Sequence, residues 1–163
     1  MNKEALKAQI LEILENVSDP EIPVLSVIDL GVVRDVKIGD TIEIIITPTY
    51  SGCPAMSVIA TNIKFELLVN GFQNVTITEV LSPAWTTDWM TESGKNKLRE
   101  YGIAPPVTKA RMDKMLFENA PSVPCPQCGS SNTEQMSEFG STACKSLFRC
   151  KDCLEPFDYF KCH

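Results

Sequence analysis

The chain has 163 residues, 44% of them hydrophobic and 22% charged, the makeup of a soluble globular protein: one domain, or one of about 110 residues with a small appendage. A formal charge of −6 and a pI near 4.8 argue against a nucleic-acid partner, whose phosphates need a basic surface. Apolar runs such as "IIIT" and "FELLV" are far too short to span a bilayer.

In chain order, Leu6, Ile10, Ile13, Leu14 and Val17 recur at helical spacing and predict an amphipathic helix over 3–17. That stretch is acidic and lacks a continuous apolar core, so no secretory signal is expected, and the reading is cytoplasmic with reduced thiols. "SDPEIP" ends the helix, because Pro20 and Pro23 forbid regular hydrogen bonding. "VVRDVKI" and "TIEIIIT" flank Gly39-Asp40 as a β-hairpin. "GCPAMSVIATNIKFELLVNGF" is a long helix with Pro54 in its first turn and Gly71 just past its end. "NVTITEVL" supplies a third strand, and a last helix covers roughly 86–101, closed by Gly102. The expectation is an α+β domain over 1–104, a small three-stranded sheet with helices on one face. A proline-bearing linker follows over 105–124, then a separate cysteine-rich domain over 125–163.

Cysteine usage carries the chemistry. Of seven cysteines, six lie in 125–163. Cys125-x-x-Cys128 and Cys150-x-x-Cys153 are separated by twenty-one residues, enough for a hairpin between two metal-binding knuckles. That is the layout of a zinc ribbon. Gly129 suits the tight turn that lets backbone N–H groups face the sulfurs. A segment this short has too little core to fold alone, so metal binding worth ~10–16 kcal/mol would supply its stability. Sulfur tetrahedra suit zinc and iron alike, and a closed structural site favours zinc. The alternatives are a thioredoxin-like dithiol or uninvolved core cysteines. With four basic residues against five acidic ones, residues 125–163 show no basic stripe, so the ribbon is expected to contact protein.

Other signals are weaker. Cys53 sits where a strand gives way to a helix, and the helix dipole predicts a lowered pKa suited to a nucleophile, redox sensor or metal ligand. The alternative is a small buried residue beside a turn. Asp19, Glu21 and Asp29 cluster near turns, either to bind a hard cation or partner charges, or, for Asp19 and Asp29, to cap those turns. Cys144 and Cys162 flank the second knuckle and together form an incomplete site. His163 is the one histidine, so a cysteine-protease arrangement lacks its base. Trp85 and Trp89 read as core or interface aromatics.

Taken together, "DPEIPVLSVIDLG", "TPTYSGCPA", "SPAWTTDWM", "REYGIAPP", "SEFGSTACK" and "EPFDYFKC" resemble the PaaD (also PaaJ) family, accessory subunits of the phenylacetyl-CoA epoxidase system. Residues 1 to about 105 also resemble SufT-like iron–sulfur assembly factors, whose marks fall on Asp19-Pro20-Glu21, Asp29-Leu30-Gly31 and Cys53-Pro54. The resemblance implies a non-catalytic protein that matures or delivers an iron or iron–sulfur centre to an oxygenase or reductase subunit. It implies Cys53 as the working thiol, with Asp19 and Glu21 beside it. It also implies Cys162, with Cys144, as a candidate second centre, and leaves His163 incidental. A homodimer is compatible with this reading. The system's epoxidation uses a di-iron site of the kind that needs two Glu-x-x-His pairs, and this chain has none. Nor does "SGKNK" amount to a dinucleotide fingerprint. The competing readings are a structural or coupling subunit without metal transfer and, third, a thiol redox enzyme.

Overall fold

Local hydrogen bonding decides where each predicted helix begins and ends. In the computed structural model, which describes residues 2–107 and 122–161, α1 runs Lys3–Leu14, with the Asn2 side chain accepting from the Glu4 N–H at its start. It stops three residues short of the expected end because Asn16 and Val17 donate to Ile13 and Leu14, tightening the last turn. The Val17 carbonyl is then taken by the N–H of Val27, which draws the chain into a loop. Strands β1 (Val33–Ile38) and β2 (Ile42–Ile46) form the predicted antiparallel hairpin, its ladder closing at Ile38 opposite Ile42. Helix α2 (Ala55–Val69) buries Ala55, Met56, Ile59, Ile63 and Leu67, one face at helical spacing. It returns the chain so that β3 (Val75–Glu79) pairs parallel to β2. The sheet order is β1-β2-β3, with α1 against β1 and α2, and α2 against β3. This is the mixed α+β arrangement that the pattern predicts.

The stretch expected to be one helix over 86–101 is two elements, a single 3₁₀ turn (Thr87–Trp89) and α3 (Glu92–Glu100). Thr91 explains the break. Its N–H donates to the Asp29 carbonyl and its hydroxyl to Asp29 Oδ1, both at 2.9 Å, while its Oγ1 accepts from the Gly94 N–H. A threonine fastened in that way caps α3 instead of continuing a helix through itself. Asp29 also exchanges hydrogen bonds with Ser26, whose N–H donates to Oδ2 and whose Oγ accepts from the Asp29 N–H. Trp85 donates its indole N–H to the Leu30 carbonyl at 2.8 Å, and the Arg34 guanidinium lies 3.3 Å over the Trp89 ring. Both tryptophans are therefore structural, and Asp29 follows its turn-capping reading.

Contact density divides the chain into two compact units. One runs through Trp85 and takes in Trp89–Gly94; the other comprises Thr86–Asp88 and everything from Lys95 onward. Residues 95–104, assigned by composition to the first domain, thus sit in the second unit. The reason is β4 (Ile103–Ala104), which pairs parallel to β7 (Pro156–Phe160). Strand β7 pairs with β6 (Lys145–Cys150), and β6 with β5 (Thr133–Ser137), giving a four-stranded sheet of order β4-β7-β6-β5. The expected hairpin is β5–β6; β7 and β4 extend it. Among the described residues, one hydrophobic cluster of this unit comprises Ala104, Val123, Cys125, Phe148, Cys150, Phe157 and Tyr159. The greater part of the expected linker, 108–121, lies outside the described residues, as do Cys162 and His163. Among the described residues no helix is long and apolar enough to cross a membrane.

Gly31 tests the fastening of the first unit. Its φ is +69°, and an added Cβ would lie 2.2 Å from the Trp89 carbonyl oxygen. Gly31→Ala is expected to cost at least about 2 kcal/mol in chemical denaturation, combining left-handed strain with a backbone clash.

Candidate metal centre

The two Cys-x-x-Cys turns are built alike. In the first, Cys125 donates its N–H to the Ser130 carbonyl and accepts from the Gly129 N–H, each at 2.9 Å. In the second, the Cys150 N–H donates to the Glu155 carbonyl at 3.0 Å. The residue after each second cysteine is left-handed: Gly129 at φ +75° and Leu154 at φ +65°. Glycine takes that conformation freely, whereas a leucine held there costs roughly 1–2 kcal/mol. The second turn accepts that cost to reproduce the path of the first.

These turns bring four sulfurs together. Cys125 Sγ lies 3.7 Å from Cys153 Sγ, and Cys128 Sγ lies 3.6 Å from Cys150 Sγ. All four lie within 4.8 Å of one another. A tetrahedral ion with ~2.3 Å bonds to sulfur needs ligands about 3.8 Å apart, so the spacing fits a metal and is far too long for a disulfide. Cys125 and Cys150 are buried, and Cys128 and Cys153 face solvent. Backbone N–H groups point at the sulfurs: Ser130 at Cys128, Cys153 and Asp152 at Cys150, and Glu155 at Cys153. Without metal, Cys150 and Cys153 are shifted in opposite directions. The N–H of Cys153, more than that of Asp152, brings Cys150 down to about 7. Cys153 is pushed up to about 12: the Glu155 N–H favours its thiolate, but burial and the thiols of Cys150, Cys128 and Cys125 outweigh it. A divalent cation reverses that balance. The residues fit zinc, which would be held by Cys125, Cys128, Cys150 and Cys153 and would supply structural cross-linking.

The first unit brings another expected set into mutual influence. Cys53 lies at the entry to α2, its N–H on the Tyr50 carbonyl and its own carbonyl accepting from Met56, each at 3.3 Å. The net shift of this thiol runs opposite to the lowering expected from the helix end. Burial pushes its pKa up; the Ala55 N–H and the Tyr50 hydroxyl pull the other way, and the carboxylates of Glu21 and Asp19 add to the rise. Asp19 Oδ1 accepts from the N–H groups of Glu21 and Ile22, both at 2.8 Å, which fixes the acidic turn. So Asp19, Glu21 and Cys53 share one electrostatic environment. Among the described residues only the four ribbon cysteines form a set of three or more donors within 4.8 Å. Six residues before Cys53, the Thr47 hydroxyl is buried without a hydrogen-bond partner among the described residues, a feature the sequence did not signal. Cys144 is buried beside the Thr142 hydroxyl (3.0 Å) and outside the four-sulfur cluster.

Residues 109–161 match the family model described as PaaD zinc beta ribbon domain, and residues 7–78 match the iron–sulfur cluster assembly protein family. Over 155 residues the chain is 50% identical to an Escherichia coli (strain K12) protein named as one subunit of a "Putative 1,2-phenylacetyl-CoA epoxidase", covering 94% of this chain and 92% of that one. The chain belongs to the PaaD family. Its first part is also 34% identical over 96 residues to the "Fe-S protein maturation auxiliary factor YitW" of Bacillus subtilis (strain 168), covering 57% of this chain and 93% of the relative. A crystal structure of a domain of unknown function from Bacillus anthracis superposes with a TM-score of 0.55 at 29% identity, over 58% of this chain and 92% of that one. This chain thus joins a part similar to iron–sulfur cluster assembly proteins, which carries Asp19, Glu21 and Cys53, to a zinc ribbon, which carries the four-sulfur cluster.

Two outcomes follow. Alkylation of Cys53 in the zinc-loaded protein should show a midpoint above the ordinary thiol value of about 8.5, and Glu21→Gln should move that midpoint to lower pH. Acidification should release the ribbon's metal, since protons compete for the sulfurs; a zinc indicator should report one equivalent freed as pH falls.

Proposed function

We infer that this chain is a non-catalytic accessory subunit of the phenylacetyl-CoA epoxidase system in phenylacetate degradation, and that it matures or delivers an iron or iron–sulfur centre to an oxygenase or reductase subunit. The observation that carries this reading is Cys53, set in the shared field of Asp19 and Glu21 within the unit similar to an iron–sulfur maturation factor. Burial is the main cause that keeps a proton on the thiol; the carboxylates of Glu21 and Asp19 add to it and also attract a cation. When iron arrives, it displaces that proton and takes up the thiolate: one S–H bond breaks, one S–Fe bond forms, and the proton leaves to solvent. Transfer is then ligand exchange, in which the partner's ligands replace Cys53 and the thiol is protonated again. No oxidation is required. A site whose donors are not gathered into a closed cage suits cargo that must leave. In this reading the ribbon, with its zinc on Cys125, Cys128, Cys150 and Cys153, is the docking module.

A second reading, a coupling subunit that never handles metal, has one observation in its favour: the raised pKa of Cys53 leaves its thiol protonated at neutral pH. Co-expression with the oxygenase and reductase subunits separates the two. Cys53→Ala should leave the fold and the ribbon zinc intact while the iron content of a partner, and epoxidation with it, falls severalfold. Full iron in the partners of that variant contradicts delivery and leaves the coupling role.

A further inference from the structure

The two halves of the metal site are tied to each other by groups that are not ligands. Asp152 lies inside the second Cys-x-x-Cys turn, and both of its carboxylate oxygens are engaged by the segment that follows the first. Ser130 donates its hydroxyl to Oδ2 in a short hydrogen bond, and Asn132 donates its side-chain amide to Oδ1 at 2.9 Å. The Asn132 N–H in turn donates to Ser130 Oγ at 3.0 Å, and its carbonyl accepts from the Lys151 N–H at 2.8 Å.

The placement of this clasp is specific. The Ser130 N–H faces Cys128 Sγ, and the Asp152 N–H faces Cys150 Sγ. Those two sulfurs are 3.6 Å apart, one edge of the tetrahedron. The Ser130–Asp152 side-chain bond therefore runs alongside that edge and joins the two residues whose backbones orient its sulfurs. Fixing two residues on opposite turns fixes the separation of the sulfurs they face.

We propose that Asp152, with Ser130 and Asn132, is a positioning group that holds the Cys128–Cys150 edge at ligand spacing, and so governs how tightly the ribbon keeps its metal. The clasp prepays part of the ordering that zinc would otherwise impose on two separate turns. This inference rests on reading the four cysteines as a zinc site.

The test uses the full-length chain loaded with zinc. Release to a colorimetric chelator gives the off-rate, and competition against a chelator of known affinity gives the dissociation constant. Cobalt substitution reports the geometry through its visible ligand-field bands. Asp152→Ala should weaken zinc binding by about 10–100-fold, while the cobalt form keeps a tetrahedral four-sulfur spectrum. Ser130→Ala in the Asp152→Ala background should add less than it costs alone, because the Ser130–Asp152 bond is already lost and only the Asn132 N–H contact to Ser130 Oγ is left to break. Lys151→Ala removes the neighbouring 3.2 Å ion pair to Glu134 and should leave affinity unchanged, so general loosening of the hairpin is distinguishable from loss of the clasp. If Asp152→Ala does not fold, Ser130→Ala and Asn132→Ala, each removing one side-chain partner, serve in its place and should weaken binding to a lesser degree. Unchanged affinity in these variants, or an equal loss in Lys151→Ala, overturns the clasp. Failure of the parent chain to bind zinc or cobalt at these sulfurs overturns the zinc reading on which it rests.

Discussion

Four cysteine sulfurs are held at tetrahedral-edge spacing, the separation at which one cation can bind them all. In the ribbon this constraint is accompanied by a split between Cys150, brought down to about 7, and Cys153, pushed up to about 12. The rest of the second unit is arranged around it. Two matched turns, one with a left-handed glycine and one with a left-handed leucine, aim the sulfurs. The hydrophobic cluster beside the site includes two of the ligand-bearing cysteines, Cys125 and Cys150, so metal binding and core packing share the same residues. The strands β5 to β7 then extend from the turns as a sheet that displays little charge of either sign in excess.

The first unit uses a thiol in the opposite manner. The pKa of Cys53 is raised by burial, and the carboxylates of Glu21 and Asp19 add to the rise. A closed four-sulfur cage retains a metal, whereas a single protonated thiol in a negative field can take one up only transiently. Under the proposed function, that contrast separates a site built to keep its ion from a site built to pass one on. The unit is braced elsewhere: Trp85, Trp89 and Thr91 meet Leu30, Gly31 and Asp29, fastening that turn to the segment before α3, while the Asp19 N–H donates to the Leu25 carbonyl at 2.9 Å.

What the sequence made legible follows from the range of each signal. Cysteine pairs with two residues between them and hydrophobic periods of 2 and 3.6 are local patterns, so the knuckles, the hairpin and α2 could be placed from them. Strand β4 is two residues long and carries no period; only its pairing with β7 makes it a strand, and that pairing moves 95–104 into the second unit. The break before α3 depends on Thr91 meeting Asp29, sixty-two positions away in the chain. Likewise, the field at Cys53 comes from residues in a different turn, which a rule about helix ends cannot anticipate. The Ser130–Asp152 clasp joins side chains that look like ordinary polar loop residues until the turns are folded together.

The central claim is that these four sulfurs surround one ion. X-ray absorption at the zinc edge, on the full-length protein purified without added metal and checked for one zinc per chain, tests it most directly. The account predicts a single shell of four sulfur scatterers at ~2.3 Å. Nitrogen or oxygen in that shell, or a chain that folds and purifies with the four thiols free, would contradict it.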